Sequence, residues 1–354
     1  MIKMAKLLFL SLLLQTYCFT LSLCHTSKVP AVLVFGDSTV DTGNNNYIST
    51  LFRANHVPYG LNFMGGAATG RFSDGRLVPD LLASALGIKE AVPPFLKPNL
   101  SDEDIRTGVC FASAGSGFDD LTTVASGVIP VSKQAVMLKR YLERLRKIVG
   151  EEEASNITSN ALIFISAGTN DLIFNFYDIP TRRLQYDIDG YQNFLLEKVK
   201  SLILEIYSQG GRKFAVSGLG PIGCVPMQRN INFLRRSCRK KENSDAQVYN
   251  AKLQKLLSTL QESLPGSRLG YGDIFNPATD MLNNPRKYGF EETRRGCCGT
   301  GYVEMGPSCS SLSQRLSCPD PSKYMFWDSV HPSQAVCKVV AEKVVQHVVP
   351  ALYM

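Results

Sequence analysis

The chain has 354 residues, 44% of them hydrophobic, and 38 Lys and Arg against 31 Asp and Glu give a formal charge of +7. This is an ordinary globular balance, long enough for one large core or two smaller ones. The densest basic run, Arg235-Arg236-Ser-Cys-Arg239-Lys240-Lys241, lacks interleaved aromatics and reads as a solvated loop, at most attracted to acidic polysaccharide; nucleic acid is not an expected partner.

Residues 1–25 stand apart. Lys3 and Lys6 precede the apolar run Leu7 to Leu14, the layout of a secretory signal peptide cleaved near Cys24 or His25. Gln15 and Thr16 interrupt the run well short of the roughly 18–20 apolar residues of a membrane anchor, and no later stretch is long and apolar enough to span a bilayer. Losing the two lysines takes the charge from +7 to +5. The expected mature domain is therefore 26–354.

That domain opens on Ala31-Val-Leu-Val-Phe-Gly36, an apolar strand broken by glycine, followed by Asp37 and Ser38 at the turn. Ser38 is thereby placed at the carboxyl edge of a parallel sheet, where open α/β folds put their ligands. It also lies near a helix N-terminus, whose free N–H groups favour developing negative charge. Read alone, Asp-Ser is equally a helix cap. Gly43-Asn-Asn-Asn46 reads as a turn, and the Gly- and Pro-rich region to Asp74 as a long surface loop.

Helical spacing follows over Leu77 to Leu86, ended by Gly87. Gly108 to Ala112 is read as strand two, leading to Gly115. A helix is predicted over 132–149, with Leu138, Leu142 and Leu145 on one face, then strand three over 161–165, broken by Gly168-Thr-Asn170-Asp171. A helix over 191–207, a strand over 213–217, a helix over 245–264, a strand near 269–274 and a final helix over 333–348 complete the chain. Five strands alternating with helices predict one domain with a doubly wound, mainly parallel sheet.

In such a sheet the ends carrying Ser38, Gly115 and Asn170 lie on one edge. A serine nucleophile there also needs a general base and donors for an oxyanion. Of the four histidines, His25 is at the expected mature terminus, His56 lies in the early loop, and His347 sits among valines, where a structural role fits. His331 stands in Phe326-Trp-Asp328-Ser-Val-His331-Pro, with Asp328 three residues before it. That spacing lets one tight turn hold a carboxylate against an imidazole.

Ten cysteines are present, and Cys18 and Cys24 leave with the leader. The remaining eight, Cys110, Cys224, Cys238, Cys297, Cys298, Cys309, Cys318 and Cys337, predict disulfides in an oxidising compartment, most densely between Cys297 and Cys318. Zinc is the weaker reading, because the cluster contains no histidine and no paired C-x-x-C. Asn99-Leu-Ser and Asn156-Ile-Thr are candidate N-glycosylation sites, expected on surface loops.

These blocks together resemble the GDSL esterase/lipases of the SGNH hydrolase superfamily, in their secreted plant-type branch. The resemblance rests on Phe35-Gly-Asp-Ser38, Phe111-Ala-Ser-Ala-Gly115, Gly168-Thr-Asn-Asp171 and Asp328-Ser-Val-His-Pro332, in that order. It extends to Asp41-Thr-Gly-Asn-Asn-Asn46, Gly70-Arg-Phe-Ser73, Leu219-Gly-Pro-Ile-Gly-Cys-Val-Pro226 and Cys297-Cys-Gly-Thr-Gly301. It implies a three-layer α/β/α, flavodoxin-like domain with a five-stranded sheet. Ser38 would be the nucleophile, His331 the base and Asp328 its orienting partner. The N–H groups of Ser38 and Gly115 and the Asn170 side chain would form an oxyanion hole, while Asp37 and Asp171 would fix their loops.

The resemblance further implies a secreted esterase or lipase of the cell wall or apoplast, acting on small-molecule or lipid esters with no metal or organic cofactor. Two rival readings stand beside it: acyl transfer from the same acyl-enzyme to an alcohol, and a non-catalytic lipid- or glycan-binding relative. One departure concerns support of the oxyanion loop. Cys110 replaces the usual Asn, which makes a free buried thiol there an expectation, with Cys337 as a second. Asp74, where Asn is commoner, is expected to be a surface-loop change of small consequence.

Overall fold

A computed structural model describes residues 29–354 apart from 125, 232 and 233. The leader expected over 1–25, with Cys18, Cys24 and His25, lies outside the described residues. Four parallel strands, β1 (Val32–Gly36), β2 (Leu162–Ser166), β3 (Lys213–Ser217) and β4 (Arg268–Gly272), stand side by side in that order. Val32 pairs with Leu162 and Gly36 with Ser166, so the ends of β1 and β2 finish level.

The expected second strand, 108–112, is not regular. It runs beside β1, with Val34 N donating to the Val109 carbonyl at 3.1 Å and Phe111 N to the Val34 carbonyl at 2.7 Å. On its other side Cys110 N bonds to the Pro93 carbonyl and the Cys110 carbonyl to Phe95 N. Proline has no N–H for a ladder, so the 93–95 segment can pair here only briefly. The rail is in place, and a single residue, Cys110, carries its bridges.

Both faces of the sheet are covered, which is why its strands read as near-continuous apolar runs. Leu33, Phe35, Ile163, Ile165, Phe214 and Val216 point into one core. That core is completed by α1 (Val131–Val149), α2 (Glu151–Asn160), α3 (Ile188–Ser208) and α4 (Lys240–Ser263). Their neighbours Val32, Val34, Leu162, Phe164 and Ala215 point the other way, onto helix Val78–Ala85, α5 (Phe275–Asn283) and α6 (Gln334–Lys343). The period-two alternation of strand side chains thus produces the three-layer α/β/α architecture.

Local chemistry sets the helix ends. Gly150, at φ 83°, terminates α1, and the Asp187 side chain caps α3 by accepting Gly190 N. Helix α2 was not legible in the sequence. It places Asn156 on an exposed helical surface and not on a loop, whereas Asn99 is on an exposed loop at φ 56°. The final helical run outlasts its expected 333–348 span: α6 passes into a π-helical turn, Val344–Val348, where His347 is exposed and not structural, and α-helix resumes over Val349–Tyr353.

A second, smaller sheet pairs β5 (Glu292–Gly296) with β6 (Tyr324–Phe326). Disulfides Cys297–Cys318 and Cys298–Cys309 brace the segment between them, and Cys224–Cys238 closes the loop that carries the basic run. Cys110 and Cys337 are free and buried. Among the described residues no helix is long and apolar enough to cross a membrane.

Candidate active site

The first functional turn is made by Gly36. A Cβ there would lie 1.9 Å from the Ser166 carbonyl oxygen, so only glycine lets β1 end this close to β2. Asp37 then turns inward: its carboxylate accepts Thr39 N at 2.9 Å and the Thr39 hydroxyl at 2.8 Å, which closes the turn and presents Ser38. Burial pushes the Asp37 carboxyl up to about 6 against these hydrogen bonds.

Ser38 Oγ lies 2.8 Å from His331 Nε2, across 293 residues of sequence. His331 Nδ1 lies 2.7 Å from Asp328 Oδ2 and 2.9 Å from Oδ1. Asp328 also holds the backbone of its own turn, accepting Val330 N at 2.9 Å and His331 N at 2.7 Å. All three side chains are buried. Such a chain can carry a proton from a serine hydroxyl to an imidazole while a carboxylate faces the other ring nitrogen.

The Asp328–His331 turn is braced by the disulfide-rich segment. Cys297 N donates to the Phe326 carbonyl at 3.0 Å, Cys298 N to the Trp327 carbonyl at 2.7 Å, and Trp327 N to the His331 carbonyl at 2.8 Å. Cysteines that looked like a separate cluster in sequence therefore hold the His331 turn in position.

Gly115 and Asn170 stand on the far side of Ser38 and share a cavity wall with it and His331. Gly115 is at φ +84°, a conformation suited to glycine, and a Cβ there would meet the Phe52 ring at 3.0 Å. Among the described residues no protein acceptor takes the N–H of Ser38 or Gly115. Asn170 Nδ2 spends one hydrogen on the Ser116 carbonyl at 2.8 Å and keeps a second. Ser38, Gly115 and Asn170, which carry these donors, line one cavity. Asp171 fixes the loops behind them, accepting Phe118 N, Asp119 N and the Thr122 hydroxyl, with its carboxyl pushed up to about 7 by burial.

Several functional supports escaped the sequence reading. The Asn44 and Asn45 side chains, expected only in a turn, are buried struts. Asn44 Nδ2 donates to the Cys110 and Ala112 carbonyls at 2.9 and 2.8 Å, and Asn45 Nδ2 to the Ala114 carbonyl at 2.9 Å. Asp41 completes the clamp by accepting Ala114 N at 2.9 Å. The clamp reaches the backbone, so the Cys110 side chain does not interrupt it; burial, followed by the charge of Asp41, pushes that thiol up to about 12.

The long loop to Asp74 is also a correction, because Tyr59, Phe72, Ser73 and Asp74 are buried in it. Phe72 packs against His331 with ring centroids 4.9 Å apart. The Tyr59 hydroxyl donates to Asp328 Oδ2 at 2.7 Å and accepts Gly306 N at 2.7 Å. Asp74, far from inconsequential, accepts Gln334 N at the start of α6 and the side-chain N–H of Asn62. A resemblance to the Asp41–Asn46 and Gly70–Ser73 blocks flagged most of these residues without giving them a role; nothing in the sequence singled out Tyr59.

Two cavities meet at Ser38, and both are lined by Ser38, Asn170 and Val330. One, of about 250 Å³, includes Gly115, His331, Phe52 and Phe72. The other, of about 150 Å³, runs along Val40 and Phe164 to α5 and α6. Among the described residues no group of three His, Cys, Asp or Glu side chains is placed to hold a metal ion.

A Ser–His–Asp chain at the carboxyl edge of a parallel α/β/α sheet, with free backbone donors beside it, is the architecture of a serine-hydrolase-type site. The sequence profile of the GDSL-like Lipase/Acylhydrolase family matches residues 32–344. GDSL esterase/lipase At1g06990 of Arabidopsis thaliana is 50% identical over 337 residues, covering 94% of this chain and 93% of its own length. GDSL esterase/lipase At2g30220 of the same plant is 53% identical over 313 residues, 87% of each chain. The chain belongs to the GDSL-like lipase/acylhydrolase family, a family of carboxylic ester hydrolases.

Proposed function

We propose that the protein hydrolyses carboxylic esters through an acyl-enzyme on Ser38. The observation that carries this reading is the unbroken hydrogen-bonded path from Ser38 Oγ through His331 to Asp328, at the junction of two cavities. Ser38 Oγ bonds to the ester carbon while its proton moves to His331 Nε2. The carbonyl oxygen, now negative, lies among the N–H groups of Ser38, Gly115 and Asn170. As the ester C–O bond breaks, His331 returns the proton to the departing alcohol. Water then enters, gives a proton to His331 and attacks the acyl carbon; His331 passes that proton back to Ser38 as the acid leaves.

Asp328 orients the imidazole and stabilises its charged form. Three disulfides fit an oxidising compartment, and with the 1–25 leader they support an extracellular, apoplastic location. Asn99 and Asn156, both exposed, are the sites proposed to carry N-glycans.

The test is release of p-nitrophenol from short- and medium-chain p-nitrophenyl esters by purified protein. Ser38→Ala is expected to lower kcat on the order of 10⁴- to 10⁶-fold. Wild-type protein without esterase activity, or a Ser38→Ala variant that keeps it, would sink the proposal.

A further inference from the structure

The two cavities at Ser38 are chemically unequal, and that inequality assigns each part of the substrate. The carbon bonded to Ser38 Oγ in the tetrahedral state has three other substituents: the oxyanion, the leaving oxygen and the acyl chain. The leaving oxygen must lie beside His331 Nε2, because that nitrogen returns its proton. His331 and Gly115 both line the cavity of about 250 Å³, and neither lines the cavity of about 150 Å³. The alcohol portion therefore occupies the larger cavity, leaving the smaller one for the acyl chain.

The walls of the smaller cavity say what the chain is. Beyond the hydroxyls of Thr39 and Ser166, it passes between the sheet and the second helical layer, bounded by Phe164 of β2, Ala278 of α5 and Val336, Cys337 and Val340 of α6. These residues belong to the buried apolar core on that face. The Asp37 carboxylate also lines the cavity, with its hydrogen bonds turned to its own Thr39. A charged or hydroxylated chain would lose its water here without gaining partners. An apolar cavity of about 150 Å³ accommodates a group the size of benzene, which sets a straight chain at roughly six to eight carbons.

We propose that this cavity is an acyl-chain site for medium-chain aliphatic acids, with Ala278, Cys337 and Val340 in its wall. The inference rests on the ester-hydrolase reading, and its test keeps the two apart. In p-nitrophenyl acetate and octanoate assays, the octanoate-to-acetate ratio of kcat/KM should fall at least tenfold in Ala278→Phe, which fills the cavity. It should shift toward decanoate and dodecanoate in Val340→Ala, which enlarges it.

Octanoic acid should raise the melting temperature of Ser38→Ala and fail to do so when Ala278→Phe is added. This binding arm reads the cavity even if no ester is turned over, so wild-type inactivity with octanoate stabilisation would overturn the hydrolase reading and keep the acyl site. Ratios within twofold of wild type in both variants would overturn the acyl site. So would equal octanoate stabilisation with and without Ala278→Phe. A response of Ala278→Phe to alcohol length (ethyl against octyl acetate), in place of acyl length, would reverse the assignment and overturn it as well. If Ala278→Phe fails to fold, the Val340→Ala ratio decides.

Discussion

The Tyr59 hydroxyl sits at the centre of the site's least visible contact. It donates to Asp328 Oδ2, the oxygen nearer to His331 Nδ1, and accepts the N–H of Gly306, which lines the cavity assigned to the alcohol. Tyr59→Phe removes a hydrogen bond to a charged group and leaves the Gly306 N–H unpartnered in a buried setting. Hydrogen bonds to charged groups contribute about 1.5–3 kcal/mol, so kcat/KM is expected to fall about 10- to 100-fold. The variant should keep wild-type secondary structure by circular dichroism; steady-state kinetics showing undiminished kcat/KM would remove Tyr59 from the site. Ser38, Asp328 and His331 were legible because their local motifs are distinctive. Tyr59 was not, because its partners lie 269 and 247 residues away and no pattern around it records them. Asn44 shows a further kind of blindness: its type suited a turn, and nothing local tells whether the side chain faces solvent or two buried carbonyls.

Among the elements, the braced segment 297–318 has the largest influence on chemistry for its size. Its first two residues donate to the backbone of Phe326 and Trp327, so its geometry is that of the His331 turn. Converting Cys297 and Cys318 to serine opens a loop with a sequence separation of 21, at an expected cost of about 3 kcal/mol. We expect esterase activity to decline at a lower temperature than the loss of circular-dichroism signal from the sheet. Coincident transitions in the Cys297/Cys318 variant would contradict the bracing role. The pairing itself was not readable in sequence, since spacing does not choose among partners. Strand periodicity, by contrast, carried over well: both faces of β1 to β3 are buried, and their apolar runs said so. Segment 108–112 was located correctly but lost its regularity to the neighbouring prolines.

At the scale of the whole molecule, five buried carboxyls, Asp37, Asp41, Asp74, Asp171 and Glu242, are pushed up by burial and give stability a characteristic pH dependence. Asp37 and Asp41 are pushed up to about 6 and Asp171 to about 7, in each case by burial that outweighs the hydrogen bonds they accept. Their ordinary value in the unfolded chain is 3.8. Between 3.8 and about 7 the folded chain therefore binds more protons than the unfolded one, and stability falls as pH rises through that window. The contribution is fully present below 3.8 and gone above about 7. Asp280, held well below the usual range by Lys287, Tyr288 and Asn284, acts in the opposite sense and only at still lower pH. The melting temperature is thus expected to be higher at pH 5 than at pH 7.5, which differential scanning calorimetry can check; the reverse order would refute the account.

The 2.8 Å contact between Ser38 and His331 joins the first strand to the last turn before the final helix. Any chain broken off before residue 331 lacks the proposed base, however well its sheet has formed. During synthesis the proposed nucleophile emerges first and waits for nearly the whole domain, so a chain still being made lacks the complete site. Esterase activity in a translation reaction is then a stopwatch for completion of the chain.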